Sequence, residues 1–284
     1  MEVITSRQNP KIKSIAALSE KKGREKQGLF RFDGIKLFSD ALGRVTISSV
    51  VVRVPMSDAV EVALNEALAC GAVRGEHIIY VSESVFERLT EESSPEGIIT
   101  VAEQPAALHV RAGKPAEAAL GLAGDTLLIA ESLRDPGNLG TVMRSCAALG
   151  IDTLVLSDDC ADLYNPKTVR STMGALFRMP TLRVRREELP LLIRSLRDGG
   201  RRVFAAALTD EAEEIGNIDL RAGDCFVIGN EGHGLSAELI EACDSAAIIP
   251  MVEGNESLNA AAAATICIWE TVKASGRREQ SYEG

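Results

Sequence analysis

Short apolar runs alternate with helix-length segments along almost the whole chain, and this rhythm constrains the fold more than any other feature. In the first hundred residues, Leu29 to Phe32, Ile47 to Val54, His77 to Val81 and Gly97 to Ala102 read as strands. Helical stretches lie around them: Lys11 to Ser19 behind Pro10, Gly34 to Leu42, Ala59 to Cys70 and Ser84 to Leu89. From Thr126 the rhythm resumes, with strands expected at 126–130, 153–156, 178–184, 202–207, 225–228 and 246–249, and helices at 139–149, 187–198, 235–242 and 260–273. Strands regularly separated by helices make an α/β protein. The 284 residues divide into a domain at 1–105, an Ala, Pro and Gly-rich linker at 106–122, a second domain at 123–275 and a frayed polar tail at 276–284. Glu20 to Gln27 reads as a charged break, and Ser157 to Gly174 as an irregular polar segment.

Forty-one acidic against 31 basic residues give a net charge of −10, so the whole chain does not advertise nucleic-acid binding. The distribution is uneven. Residues 1–40 carry nine Lys or Arg against five Asp or Glu. Lys11, Lys13, Lys21, Lys22, Arg24 and Lys26 form either a phosphate-binding arm or a solvated helix face. Six scattered cysteines without a C-x-x-C pair, and only three histidines, argue against a zinc site or a disulfide framework. No metal is expected. The start of the chain has no apolar signal core and no segment is apolar enough to span a bilayer, so the expectation is a soluble, reduced, cytoplasmic protein.

Three loops carry chemistry, each directly after an apolar run. Asp135-Pro-Gly makes a tight turn ahead of Asn138, which is either a helix N-cap or a site residue, with Arg144 six residues on. Ile228-Gly-Asn-Glu-Gly-His-Gly-Leu-Ser236 places a carboxylate and three glycines after a buried strand, where backbone must approach something closely. Within it Gly232-x-Gly234-x-x-Ala237, with Glu253 about twenty residues later, fits a dinucleotide-binding pattern. His233 could act as a base or be a bystander. Ile248-Ile-Pro-Met-Val-Glu-Gly-Asn-Glu-Ser-Leu-Asn259 ends a strand at Pro250, loops through Gly254 and Asn255, and enters a small-residue helix for which Ser257 is a plausible N-cap.

The segments 135–144, 228–236, and 249–251 with 257–259 resemble the three ordered motifs of the SpoU (TrmH-type) RNA ribose methyltransferases of the SPOUT class. Asn165 to Pro180 is similar to that family's stretch between the first two motifs, and the match runs from about 124 to 274. The basic start is more loosely similar to the family's ribosomal-protein L30e-like substrate-binding domain. The resemblance implies a C-terminal α/β domain with a deep trefoil knot, S-adenosylmethionine as cofactor, and a homodimer with composite active sites. It also implies that Asn138, Arg144, Glu231, Ser257 and Asn259 form the catalytic set, while Gly229, Ile249, Met251 and Leu258 contact the cofactor. Ala260 to Ala264 departs from the Val and Ser often found there.

The implied reaction is methyl transfer to a ribose 2′-hydroxyl of structured RNA, with 23S ribosomal RNA favoured over tRNA. Such a step gains mainly from positioning. Arg144 would act as a general base or, since guanidinium groups stay protonated, as a charge that holds phosphate and favours the developing alkoxide. Asn138 and Glu231 would orient Arg144 and the substrate. Two other classes remain open at this point: an NAD-dependent oxidoreductase using Gly232, Gly234 and Glu253, and a non-catalytic RNA-binding protein. The apolar helix 260–272, with Trp269 near its end, is expected to be buried against a second copy.

Overall fold

In the computed structural model, which describes residues 2–252 and 257–276, the chain divides into two compact units. The first comprises the described residues up to Pro105 together with Asp162–Phe177; the second comprises Ala106–Ala161 and the residues from Arg178 onward. Glu253, Gly254 and Asn255 of the third loop, and 277–284 of the expected tail, lie outside the described residues.

The first unit holds strands β1 (Val3–Ile4), β2 (Leu29–Asp33), β3 (Ile47–Val54), β4 (Ile78–Ser82) and β5 (Ile98–Glu103) in a sheet of order β1-β4-β3-β5-β2. β1, β4 and β3 run parallel, whereas β5 is antiparallel to both β3 and β2. The period-two alternation of β3 supplies two cores. Val50 and Val52 pack with Phe38, Val60 and Leu64 on one face, and Val51 packs with Ile12, Leu18, Val85 and Phe86 on the other. The helices are α1 (Pro10–Ala16), α2 (Lys21–Gln27), α3 (Ile35–Ala41), α4 (Asp58–Ala69) and α5 (Glu83–Leu89). The expected break at 20–27 is thus mostly helix α2, ended by Gly28 in the left-handed conformation. Proximity to the preceding turn requires Gly23, where a Cβ would lie 1.9 Å from the Ala17 carbonyl oxygen. The expected irregular segment also contains a helix, Pro166–Thr172, capped by the Asn165 side chain.

The second unit is built on eight parallel strands: β6 (His109–Arg111), β7 (Leu127–Ala130), β8 (Thr153–Ser157), β9 (Thr181–Val184), β10 (Val203–Ala206), β11 (Glu213–Glu214), β12 (Cys225–Ile228) and β13 (Ser245–Ile248). Their order is β11-β13-β10-β12-β7-β8-β9-β6. Helices α6 (Pro115–Gly121), α7 (Pro136–Leu149), α9 (Leu189–Asp198), α10 (Ala237–Ala242) and α11 (Ala260–Ala274) belong to it, Pro166–Thr172 being α8 in chain order. Leu189, Leu192, Ile193 and Leu196 give α9 an apolar stripe that enters the core with Leu127, Ile129, Val203 and Val227.

The linker reading of 106–122 is corrected here. β6 adds to the sheet edge beside β9, and α6 delivers Ala119, with Leu122 just beyond it, to the core. Small Ala-rich composition, read as exposed, instead permits close helix packing. α11 packs one face within its own chain and leaves Ala262 and Trp269 exposed. Its Ala261, Ala264, Ile268 and Thr271 face is buried within the chain, and it contacts α7 and β12, with the Ser145 and Thr265 hydroxyls 2.9 Å apart. Among the described residues no helix is long and apolar enough to cross a membrane.

Candidate active site

β7 lies between β8, its successor in the chain, and β12, which arrives much later. Loops leaving β7 and β12 therefore diverge, which opens the crevice where open α/β sheets hold ligands. Glu131 and Ser132 follow β7. Ser132 adopts the left-handed φ of 54°, which is unfavourable for a residue with a side chain. Three contacts hold it there: its N–H donates to Ser157 Oγ (2.7 Å), its hydroxyl to Asp159 (2.6 Å), and its carbonyl accepts from Asn230 Nδ2 (2.8 Å). Asp135, not Asn138, caps α7, accepting the Asn138 N–H at 2.8 Å. The Asn138 side chain is thereby free for the site.

A chain of donated hydrogen bonds joins the three loops. Asn259 Nδ2 donates to Asn138 Oδ1 (3.0 Å), and Asn138 Nδ2 donates to Glu231 Oε1 (3.0 Å). Asn259, rather than Ser257, caps α11, its Oδ1 accepting the N–H groups of Ala261 (2.9 Å) and Ala262 (3.3 Å). Glu231 also accepts the backbone N–H groups of Asp135 (3.2 Å) and Arg134 (3.3 Å). Burial pushes the Glu231 carboxyl up, but the Asn138 amide and the backbone donors outweigh it and hold the group below its ordinary value. The same balance lowers Asp159, where burial is opposed by the Ser132 and Ser157 hydroxyls and by Arg134.

Arg144 is not part of this chain. It stands exposed on α7 and makes no hydrogen bond or ion pair with a described residue, while within the chain Asn138 and Glu231 hold each other. The glycine loop is closed by reciprocal backbone bonds between Asn230 and Gly234, both 3.0 Å, and a Cβ at Gly229 would lie 2.3 Å from the Gly234 carbonyl carbon. Asn230 Oδ1 takes the N–H groups of Gly232 (2.8 Å) and His233 (3.2 Å). Those donors are consumed, which leaves no pyrophosphate cradle of the kind the dinucleotide reading needs. The His233 imidazole is exposed and makes no hydrogen bond with a described residue. Ser257, Leu258, Met251 and Asn259 are exposed, while Ile249 and Gly229 are half-buried.

Glu131, Asn230, Arg186 and Ser236 were not singled out from the sequence. Glu131 is only 3% exposed; Oε1 accepts from Arg186 Nε (3.0 Å) and the Ser236 hydroxyl (2.8 Å), and Oε2 from the Ser236 N–H (2.8 Å). A lone carboxylate directly after a buried strand was the available signal. Of the six cations expected to contact RNA, Arg24 is withdrawn. It is 2% exposed, its Nη1 donates to the carbonyls of Leu18 (2.8 Å) and Ser19 (2.7 Å), and it pairs with Asp162. Lys11, Lys13, Lys21, Lys22 and Lys26 are exposed.

A parallel sheet with its polar side chains gathered at the switch point is the architecture of an open α/β enzyme. The chain belongs to the SpoU rRNA Methylase family, whose profile matches residues 125–269. Residues 9–100 match an MRM3-like substrate binding domain. The chain is 33% identical over 273 residues to the 23S rRNA (guanosine(2553)-2′-O)-methyltransferase RlmP of Bacillus subtilis, covering 95% of this chain and 98% of that one. It is 32% identical over 207 residues to the 23S rRNA (uridine(2479)-2′-O)-methyltransferase of Streptomyces viridochromogenes, covering 71% and 68%. An AdoMet-bound rRNA methyltransferase from Sinorhizobium meliloti superposes with a TM-score of 0.77 at 30% identity, covering 98% of both chains.

Proposed function

We propose that this chain transfers a methyl group from S-adenosylmethionine to a ribose 2′-hydroxyl of ribosomal RNA, with 23S rRNA as the substrate class and the cytoplasm as its place of action. The observation that carries this reading is the Asn259–Asn138–Glu231 chain, which ties all three family motifs together at the sheet's switch point. The cofactor fits the surroundings. Met251 (37%), Val252 (80%) and Leu258 (41%) leave apolar side chains in solvent on either side of the α11 approach, a surface that an adenine ring would cover. Gly229, Ile249, Met251 and Leu258 would hold it, and its sulfonium would supply an electrophilic methyl group.

The chain's own residues then position the acceptor. Asn259 holds the Asn138 amide so that its NH₂ must face Glu231, and Glu231 in turn pins the backbone of Arg134 and Asp135. With Ser257 nearby in sequence, this fixes the floor on which the ribose sits. Arg144, uncommitted among the described residues, is available to an RNA phosphate and to the developing alkoxide. An arginine standing outside the network supports a homodimer in which sites are completed across two copies. Supporting the trefoil knot is the return of the chain from β13, three strands from β7, to α11 against α7. The first unit, read as L30e-like, would dock RNA through Lys11, Lys13, Lys21, Lys22 and Lys26.

Calorimetry with S-adenosylhomocysteine and NADH, followed by mapping of ribose methylation in 23S rRNA from a deletion strain, tests this reading. Binding of S-adenosylhomocysteine and loss of one methylated ribose are expected. Binding of NADH alone, or an unchanged methylation map, would refute it.

A further inference from the structure

The strands of the second unit all point one way, so their C-terminal ends share one edge of the sheet with the Asn138–Glu231 centre. Arg111 ends β6 and is the register partner of Arg183 on β9. Like charges directly beside one another on neighbouring strands are unfavourable unless something compensates them. No described carboxylate does. Arg111 is exposed and makes no ion pair with a described residue. Arg183 spends Nη2 on the carbonyls of Cys160 (2.9 Å), Asp158 (3.3 Å) and Ala161 (3.4 Å), and its buried Nε has no partner.

Both arginines, with Lys114 and Arg185, line a cavity of about 510 Å³. Asp158 and Glu188 also line it, but Glu188 pairs with Arg185, and Asp158 accepts the Arg186 N–H at 3.1 Å. The next residue, Arg186, lines a second cavity of about 380 Å³ with Arg134 and Asn230, groups that adjoin the Glu231 network. Glu131 fixes Arg186 by its Nε, and half of the Arg186 side chain remains exposed.

We propose that Arg111, Lys114, Arg183 and Arg186 form a phosphate track on the catalytic unit, which carries the RNA strand flanking the target ribose. From β6 to β7 is three strand spacings, about 14 Å. That is too long for one phosphate group and suited to successive ones. An acidic protein thereby presents a row of cations where its substrate must pass: Arg111 and Arg183 have no carboxylate partner among the described residues, Lys114 meets only the exposed Glu117 (3.6 Å), and Arg186 pairs with Glu131 through Nε alone. Guanidiniums anchored on one side keep their remaining donors aimed at phosphate oxygens. The track rests on the ribose-methylation reading and adds to it a set of RNA contacts on the catalytic unit itself.

The test uses the full chain and end-labelled 23S rRNA from a strain lacking the enzyme. R111Q/K114Q changes two exposed side chains and should leave the fold intact. Its log affinity against log salt should flatten by about 1.4, at roughly 0.7 per lost contact to single-stranded RNA. Affinity for S-adenosylhomocysteine and the single-turnover rate at saturating RNA should not move, and R111K should keep the wild-type slope. An R111Q/K114Q variant with wild-type affinity and slope would overturn the track while methylation by the wild type still stands. A wild type that methylates no RNA would overturn the track together with the reading beneath it.

Discussion

Arg24 on α2 and Arg144 on α7 are both arginines on a helix of the structure, each read from the sequence as a candidate RNA contact, yet the two units use them in opposite ways. Arg24 is enclosed, with two carbonyls and the Asp162 carboxylate absorbing its donors. Arg144 is exposed and bonds to no described residue. The difference teaches that the role of a cation is decided by what folds around it. Asp162 lies 138 residues from Arg24, so no local pattern could have announced the pair.

The largest effect should come from breaking the enclosed member. Arg24→Ala strands Asp162 in a site where its side chain is only 17% exposed, and should destabilise the first unit by about 3 kcal/mol. Hydrogen exchange of α2 and β2 would record this. Normal protection with weakened RNA affinity would return Arg24 to the RNA surface. Arg144→Ala should do the reverse, with unchanged thermal unfolding and a single-turnover methylation rate lower by roughly 100-fold. Arg144→Lys, which keeps the charge without the planar fork, should retain a measurable fraction if the charge is what matters. Equal inactivity of the Lys and Ala variants with RNA affinity intact would shift the role to guanidinium geometry.

Elements built from local pattern were legible. The valines of β3 alternate between two cores as period two requires, and Leu189, Leu192, Ile193 and Leu196 carry the stripe of α9. The site residues Asn138, Glu231 and Asn259 were legible through motif resemblance, but their mutual bonds span 93 and 121 residues, and only the fold brings them together. Where small residues dominate, composition misled. The Ala-rich stretch 106–122 looks unanchored in sequence, yet it buries Ala119, and helix 260–274 buries Ala261 and Ala264, because small side chains let elements approach closely. α2 was missed because its three lysines and Arg24 hide a single buried position. Capping was displaced by a few residues twice: Asp135 and Asn259 are the caps, for Asn138 and Ser257 respectively, since several polar residues precede each helix and only geometry selects one.

A smaller effect separates the exposed lysines of the first unit from the proposed arginine track of the second. Neutralising Lys11, Lys13 and Lys22 to Gln should flatten the salt dependence of RNA binding by about 2 if each holds a phosphate of single-stranded RNA. Combined with R111Q/K114Q, the two losses should add, because the changed residues belong to different units and share no partner. A slope unchanged in the lysine variant alone would assign RNA docking to the catalytic unit and leave the first unit's lysines as a solvated face.

The smallest effect concerns acid, and it again sets the units apart. In the second unit Glu231 and Asp159 are held below their ordinary values by the hydrogen bonds around them, which outweigh burial. A carboxyl whose folded value is depressed binds a proton more weakly than in the unfolded chain. It therefore stabilises the fold at neutral pH, and this contribution is lost as pH falls from the ordinary carboxylate range through the depressed value. In the first unit Asp33 and Glu92 are raised, mainly by burial. Their contribution has the opposite sign: the folded state takes up protons first, so lowering the pH through their raised values relieves a penalty. Hydrogen exchange between pH 7 and pH 4 should show protection falling around β7, β12 and the N-terminal turn of α7, while β2 and the segment around Thr90, whose hydroxyl donates to Asp33 (2.7 Å), hold or gain relative to them. Glu231→Gln should blunt the acid response of the second unit alone, since the amide no longer titrates. Uniform loss of protection in both units, unaltered by Glu231→Gln, would mean that other carboxylates govern the acid response and that the hydrogen-bonded Glu231 is energetically silent.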